Sequence, residues 1–220
     1  MAFYLDSAAL DDIRAARALP WCAGVTTNPS LVARAAGGNP PDTEHYIDLL
    51  RAVAEAAAPL PVFAQVPERD GVTMAQLAER LHHIAPGRIV LKIPCTADGL
   101  ALAADCARRG WRVALTAVFS IAQVVLAAEA GALWAAPYCH RYTERGGDGL
   151  ALVGGMLQAL RLRQSPLRLL VASVKTRDEA ERLLELGAPD LTLPLPLLAG
   201  LAGHPLTAEA LAQFNAAVTA

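Results

Sequence analysis

The sequence predicts an α/β protein: one (β/α)8 TIM barrel domain over residues 1–220, with an extra C-terminal helix. Three observations predict it. Short β-type runs alternate with longer stretches that are apolar at helical spacing, the signature of a parallel sheet crossed by helices. There are eight such units. A chain of 220 residues also suits eight compact units closed into one barrel. An open doubly wound sheet is the alternative. No GxGxxG or GxxxxGK[ST] loop follows the first strand, which weighs against it.

In chain order, the expected strands are Phe3–Ser7, Gly24–Asn28, Pro61–Val66, Ile89–Pro94, Arg112–Val118, Leu133–Cys139, Leu169–Val174 and Leu191–Leu195. The second unit holds a Pro-rich turn, "NPPD" at Asn39–Asp42, read as a loop between two helices. After the third strand, "MAQLAERLHHIA" repeats apolar residues at helical spacing. After the seventh, "TRDEAERLLELGA" opens on Thr176 as an N-cap and closes at Gly187. The tail from Thr207 to Ala220 reads as a helix with Leu211, Phe214 and Val218 on one stripe. By itself such a helix could close the barrel. No linker or low-complexity segment divides the chain.

Composition narrows the function classes. The chain is 54% hydrophobic and 18% charged, with net charge -2, enough to bury a large core. No basic run recommends nucleic acid or an anionic membrane as a partner. The start "MAFYLDSAAL" lacks a basic region and carries Asp6, unlike a signal peptide. The uncharged stretch Val113 to Ala128 is too short and polar for a span of roughly 20 residues. Cys22, Cys95, Cys106 and Cys139 show no CxxC spacing and read as reduced thiols, three of them in buried elements. The expectation is a cytoplasmic protein.

Side chains alternate along a strand, so each strand offers one set to the barrel interior. Polar residues there are costly unless used or satisfied. Near the C-terminal strand ends lie Asp6, Thr26, Asn28, Gln65, Lys92, Thr116, Tyr138 and Ser173. Thr26 and Asn28 share a face; so do Val90, Lys92 and Pro94. Active sites of such barrels sit at that end. A packed apolar core does not account for so many polar side chains at one rim.

Lys92 stands out as one of only two lysines, set in the run "RIVLKIP". A lysine in water is an ammonium ion at neutral pH; burial among apolar groups disfavours the charge and frees a nucleophilic amine. Val90, Leu91 and Ile93 supply such a setting. The amine would form a Schiff base with a ketone, and the iminium would let an adjacent C–C bond break or form. That chemistry asks for no cofactor and no metal. His82 and His83 are adjacent on a helix and cannot face one ion, while His45, His140 and His204 fall in different units. Asp6 would orient substrate or relay protons, and Asn28 would bond a substrate hydroxyl. Gln65, Thr116 and Tyr138 would hold a proton-shuttling water. Arg141, Ser173 and Lys175 suggest a phosphate site further round the rim.

The segments "FYLDSA", "GVTTNPSLV", "VFAQV", "VLKIPCTADGLAL", "LTAVFSIAQ", "GALWAAPYCHR", "LVASVKT" and "LTLP" resemble, in order and over nearly the whole chain, the small subfamily of the transaldolase family of class I aldolases. The resemblance implies a (β/α)8 barrel, Lys92 as the Schiff-base lysine and Asp6 as an active-site acid or base. It further implies substrate contact by Thr26 and Asn28, and phosphate contact by Arg141 and Ser173. Transaldolases usually carry glutamate at the place of Gln65 and phenylalanine at that of Tyr138. The pair Gln65 and Tyr138 is similar to fructose-6-phosphate aldolases, which split that sugar into dihydroxyacetone and glyceraldehyde 3-phosphate. The chain also departs from the aldolase pattern at Ser7, Phe119-Ser120, His140 and Val174. His140 and Val174 flank the expected phosphate site. In the small subfamily a C-terminal helix reaches a neighbouring subunit, so the resemblance implies a homo-oligomer, a pentamer or decamer. Three readings follow: aldolase, transaldolase, and a non-catalytic barrel that binds sugar phosphates.

Overall fold

The computed structural model describes residues 1–218. Eight parallel strands close into a barrel in sequence order, with β8 paired back to β1. They are β1 (Ala2–Asp6), β2 (Cys22–Thr26), β3 (Val62–Gln65), β4 (Ile89–Pro94), β5 (Val113–Val118), β6 (Trp134–Pro137), β7 (Arg168–Val171) and β8 (Asp190–Leu193). Around them lie α1 (Leu10–Arg17), α2 (Pro29–Ala35), α3 (Thr43–Ala57), α4 (Gly71–His82), α5 (Ala97–Arg108) and α6 (Ile121–Glu129). The ring continues through α7 (Cys139–Glu144), α8 (Gly149–Leu162), α9 (Arg177–Glu185), α10 (Leu195–Gly200) and α11 (Pro205–Val218).

Every expected strand is present, and Ile89–Pro94 coincides with its prediction. Six expected strands run past the observed ends at the rim, by one to three residues, and for three of them the local reason is plain. Asn28 leaves β2 to cap α2, its side chain accepting from the Leu31 N–H at 3.0 Å. Tyr138 keeps only a single bridge, to Ala172, before α7 begins. Ser173 turns to φ +59°, a left-handed backbone outside the β region. The "NPPD" segment is the loop between α2 and α3, and Asp42 caps α3 by accepting from the His45 N–H at 2.9 Å. Thr176 caps α9 as expected, in a reciprocal capping box with Glu179.

Strand alternation sorts the core into two layers. Outward side chains such as Leu5, Val62, Leu91, Ile93, Leu115 and Leu169 are buried beneath the helices, and each stabilises by about 1.5–3 kcal/mol. Inward, Tyr4, Phe63, Val90, Ala114, Trp134 and Leu170 fill the barrel floor. Phe63 meets Tyr4 edge-on at 5.4 Å and Trp134 at 5.1 Å. Gly24 makes this possible: a Cβ there would lie 2.9 Å from Tyr4 Cδ1 and 2.8 Å from the Pro61 carbonyl oxygen. Fully buried Asp190 closes the floor, accepting from Arg168 Nε at 2.7 Å and Trp134 Nε1 at 3.2 Å.

The expected tail helix is α11, and the last two residues of the expected range lie outside the described ones. It does not seal the barrel: none of its described residues is buried, and Leu206, Leu211, Phe214 and Val218 are exposed. All four cysteines, not three, are buried as free thiols. Among the described residues no helix is long and apolar enough to cross a membrane.

Candidate active site

Two residues beyond the floor layer, the same inward face turns polar. The step leads from Tyr4 to Asp6, Phe63 to Gln65, Val90 to Lys92, Ala114 to Thr116 and Asp190 to Thr192. Lys92 is buried, 4% exposed, on the central stretch of β4. Its Nζ donates to the Thr27 carbonyl at 2.8 Å. Among the described residues it has no carboxylate partner. The expected neighbour Asp6 is therefore not tied up with it. Thr27 is itself held: its N–H and its Oγ1 each donate to the Phe63 carbonyl at 3.0 Å. The amine is steered by backbone and forms no ion pair among the described residues.

Asp6 accepts from Thr26 Oγ1 at 3.0 Å, and Thr26 Oγ1 lies 2.6 Å from Thr192 Oγ1. Thr26 has one hydroxyl hydrogen and gives it to the carboxylate, so Thr192 donates to Thr26. Across the barrel, Thr116 Oγ1 and the Tyr138 hydroxyl lie 3.2 Å apart. Tyr138 is braced by Phe119, edge-on at 5.6 Å, and Arg141 places its Cζ 4.9 Å from the Tyr138 ring centre. Gln65 Oε1 is buried without a hydrogen-bond partner, which asks for a donor that the protein does not supply. The Gln65 backbone is fixed by Tyr46, whose hydroxyl donates to its carbonyl at 2.7 Å. Burial raises the Tyr46 hydroxyl's pKa, keeping it a donor.

On the other side of Asp6 a cavity of about 360 Å³ opens to solvent. Asp6, Ser173 and Lys175 line it, together with Arg34 from α2. Arg141 is not among its walls; it stands over Tyr138 instead. Asn28 spends its side-chain oxygen on the α2 cap, leaving its amide N–H groups for a ligand. The structure thus gathers Lys92, Asp6, Gln65, Thr116, Tyr138 and Thr26 about one inward face, with Asn28, Ser173, Lys175 and Arg141 on the rim.

Sequence reasoning missed three groups here. Thr27 acts through its carbonyl, which leaves no trace in residue type. Thr192 was legible by parity with Asp190 in "DLTL". Arg34 reaches the cavity only through the course of α2.

The motif around Lys92 also explains itself. Thr96 caps α5, accepting from the Gly99 N–H at 3.2 Å. At Gly99 a Cβ would fall 1.9 Å from the Pro94 carbonyl oxygen, so glycine lets α5 start directly against the end of β4.

The family model described as transaldolase/fructose-6-phosphate aldolase matches residues 3–220. The chain belongs to that family. A curated relative from Bacteroides thetaiotaomicron, named a probable transaldolase, is 36% identical over 215 residues, covering 97% of this chain and 96% of its own. A second, also a probable transaldolase, from Anaeromyxobacter sp. (strain K), is 36% identical over 217 residues, covering 98% and 95%. Among solved structures, 4-hydroxy-tetrahydrodipicolinate synthase from Methylacidiphilum fumariolicum aligns with TM-score 0.64 at 12% identity, over 90% of this chain and 69% of its own. A putative phosphonomutase from Burkholderia cenocepacia aligns with TM-score 0.64 at 17% identity, over 97% and 92%. These two speak for the barrel alone. Membership in the transaldolase/fructose-6-phosphate aldolase family is carried by the sequence matches.

Proposed function

We propose that this family member is a class I aldolase that cleaves fructose 6-phosphate, or forms it from dihydroxyacetone and glyceraldehyde 3-phosphate, through a Schiff base on Lys92. The observation that carries the reading is the buried Lys92 amine, held by a carbonyl, without an ionic partner, facing polar groups from neighbouring strands. Lys92 Nζ adds to the C2 ketone; water leaves and an iminium forms. Asp6 takes the proton of the C4 hydroxyl as the C3–C4 bond breaks, and the electron pair enters the iminium to give an enamine. Glyceraldehyde 3-phosphate departs. A proton returns to C3, and water hydrolyses the iminium to release dihydroxyacetone and the free amine. Gln65, Thr116 and Tyr138 hold the water that carries these protons; the partnerless Gln65 oxygen supports that role. Thr26 and Asn28 bond substrate hydroxyls, while Arg141, Ser173 and Lys175 receive the phosphate.

Transaldolase is the second reading, favoured by the names of the relatives: the three-carbon unit stays on Lys92 until an aldose phosphate accepts it. Gln65 and Tyr138 support the aldolase. Release of free dihydroxyacetone without acceptor agrees with aldolase; strict dependence on erythrose 4-phosphate agrees with transfer. A non-catalytic sugar-phosphate barrel is excluded by one further test. Dihydroxyacetone and borohydride should leave a single adduct, on Lys92, absent in Lys92→Ala; no adduct, or labelling at Lys175 alone, refutes the assignment. The exposed apolar side chains of α11 support a homo-oligomer, pentamer or decamer, which sedimentation checks. A cytoplasmic location accords with the reduced thiols.

A further inference from the structure

The rim residues expected at the phosphate come from two separate loops. Arg141 follows β6, while Ser173 and Lys175 follow β7. One carboxylate touches both. Glu179, on the first turn of α9 and with a side chain only 19% exposed, accepts through Oε2 from the backbone N–H groups of Lys175 at 2.8 Å and Thr176 at 3.3 Å. Through Oε1 it accepts from His140 Nδ1 at 2.5 Å. His140 is the residue before Arg141, and its own backbone N–H donates to the Ser173 carbonyl at 3.1 Å.

A capping box requires of Glu179 only the bond to the Thr176 N–H; the bonds to Lys175 and His140 are additional. Burial alone would push the Glu179 carboxyl upward, but the hydrogen bonds from His140 and the Lys175 N–H outweigh it and hold the group below its ordinary range. It is thus an anion with both oxygens committed, one to each loop. Ser173 sits at φ +59°, a conformation that costs a non-glycine residue about 1 kcal/mol or more and has to be held by its surroundings.

We propose that Glu179 and His140 are positioning residues that lock the β6 and β7 loops together, so that Arg141, Ser173 and Lys175 meet one phosphate group. The proposal rests on the reading of those three as the phosphate site. Neither Glu179 nor His140 touches the reacting carbons. Their effect falls on affinity for the phosphate end and spares the chemistry at Lys92.

The test uses the full-length protein and inorganic phosphate, titrated calorimetrically, beside dihydroxyacetone–borohydride trapping, which needs no phosphate. His140→Phe, which leaves the α9 cap intact, and Glu179→Ala should each weaken phosphate binding about tenfold, the value of one charge-assisted hydrogen bond. Glu179→Gln, which keeps the shape but offers one acceptor oxygen where Glu179 uses two, should lose less than Glu179→Ala, and the double variant should be no weaker than the weaker single. All should trap dihydroxyacetone on Lys92 at the wild-type rate. Unchanged phosphate affinity in His140→Phe, or additive losses in the double variant, overturns the lock. A lost adduct in the wild type, with phosphate affinity still falling as stated, sinks the Schiff-base reading and leaves the lock standing. No phosphate binding by the wild type sinks the phosphate site and the lock together.

Discussion

Gly99→Ala should cripple the enzyme from a position that contacts no substrate. Two effects oppose each other. Alanine is the better helix former, by up to about 1 kcal/mol. Against it, the new Cβ would sit 1.9 Å from the Pro94 carbonyl oxygen, and contacts below 3.0 Å are not tolerated. Going from 1.9 to 3.0 Å requires an opening of at least 1.1 Å, and the obstacle is backbone, which has no rotamer to escape into. Pro94 is two residues beyond Lys92 on β4. Either α5 recedes or the end of β4 moves, taking the amine with it. A displacement near 1 Å at a reacting group is worth about 10²-fold in rate, so sterics win over propensity. The assay is the rate of borohydride trapping with saturating dihydroxyacetone, read beside kcat for cleavage. Both should fall by about two orders of magnitude, with a lower melting temperature. Wild-type kinetics in Gly99→Ala would show that α5 and β4 part without disturbing Lys92, and the reasoning from close approach would be wrong.

Gln65→Glu exchanges the partnerless amide oxygen for a proton acceptor, and should raise transfer to erythrose 4-phosphate relative to free cleavage; an unchanged ratio removes Gln65 as the discriminator. Asp190→Ala should cost about 3 kcal/mol in urea unfolding, because it strips Arg168 and Trp134 of a buried acceptor, at the lower end for broken buried pairs since Arg168 is 42% exposed; a loss under about 1 kcal/mol refutes the floor's dependence on it. Burial pushes the Cys106 and Cys139 thiols up to about 11, against 9.0 for an ordinary thiol, so the unfolded chain ionises first and stability should fall from pH 9 towards 11. Cys106→Ala should make that decline shallower, and an identical slope would count against the linkage.

Much of the fold was legible because one period governs it. In β4, Val90 and Lys92 point inward while Leu91 and Ile93 point outward, and the string "IVLK" already displays that alternation against buried surroundings. Strand ends were harder to read. Asn28, Tyr138 and Ser173 carry strand-like neighbours, yet each is taken over by a local demand: a cap, a helix start, a left-handed turn. The candidate residues on strands were legible for the same reason as the strands. Thr27 was not, because its contribution is a carbonyl whose aim depends on where β3 lies. Glu179 was visible only as the third residue after Thr176; that it also reaches His140, 39 positions away, depends on where the fold brings the start of α9, and no local pattern shows it.

The direction of Lys92 is a consequence of packing more than of any polar contact. Its one hydrogen bond, to the Thr27 carbonyl, is a net gain of about 1 kcal/mol. Slipping β4 by one residue would turn every side chain over. Leu91 and Ile93, both fully buried under helices, would then enter the polar rim, and each outward burial forfeited is worth about 1.5–3 kcal/mol. The apolar outer layer therefore holds the amine inward by several times what its own bond supplies. That arrangement lets the amine face the polar rim with a backbone carbonyl for its partner and no carboxylate clamped to it among the described residues.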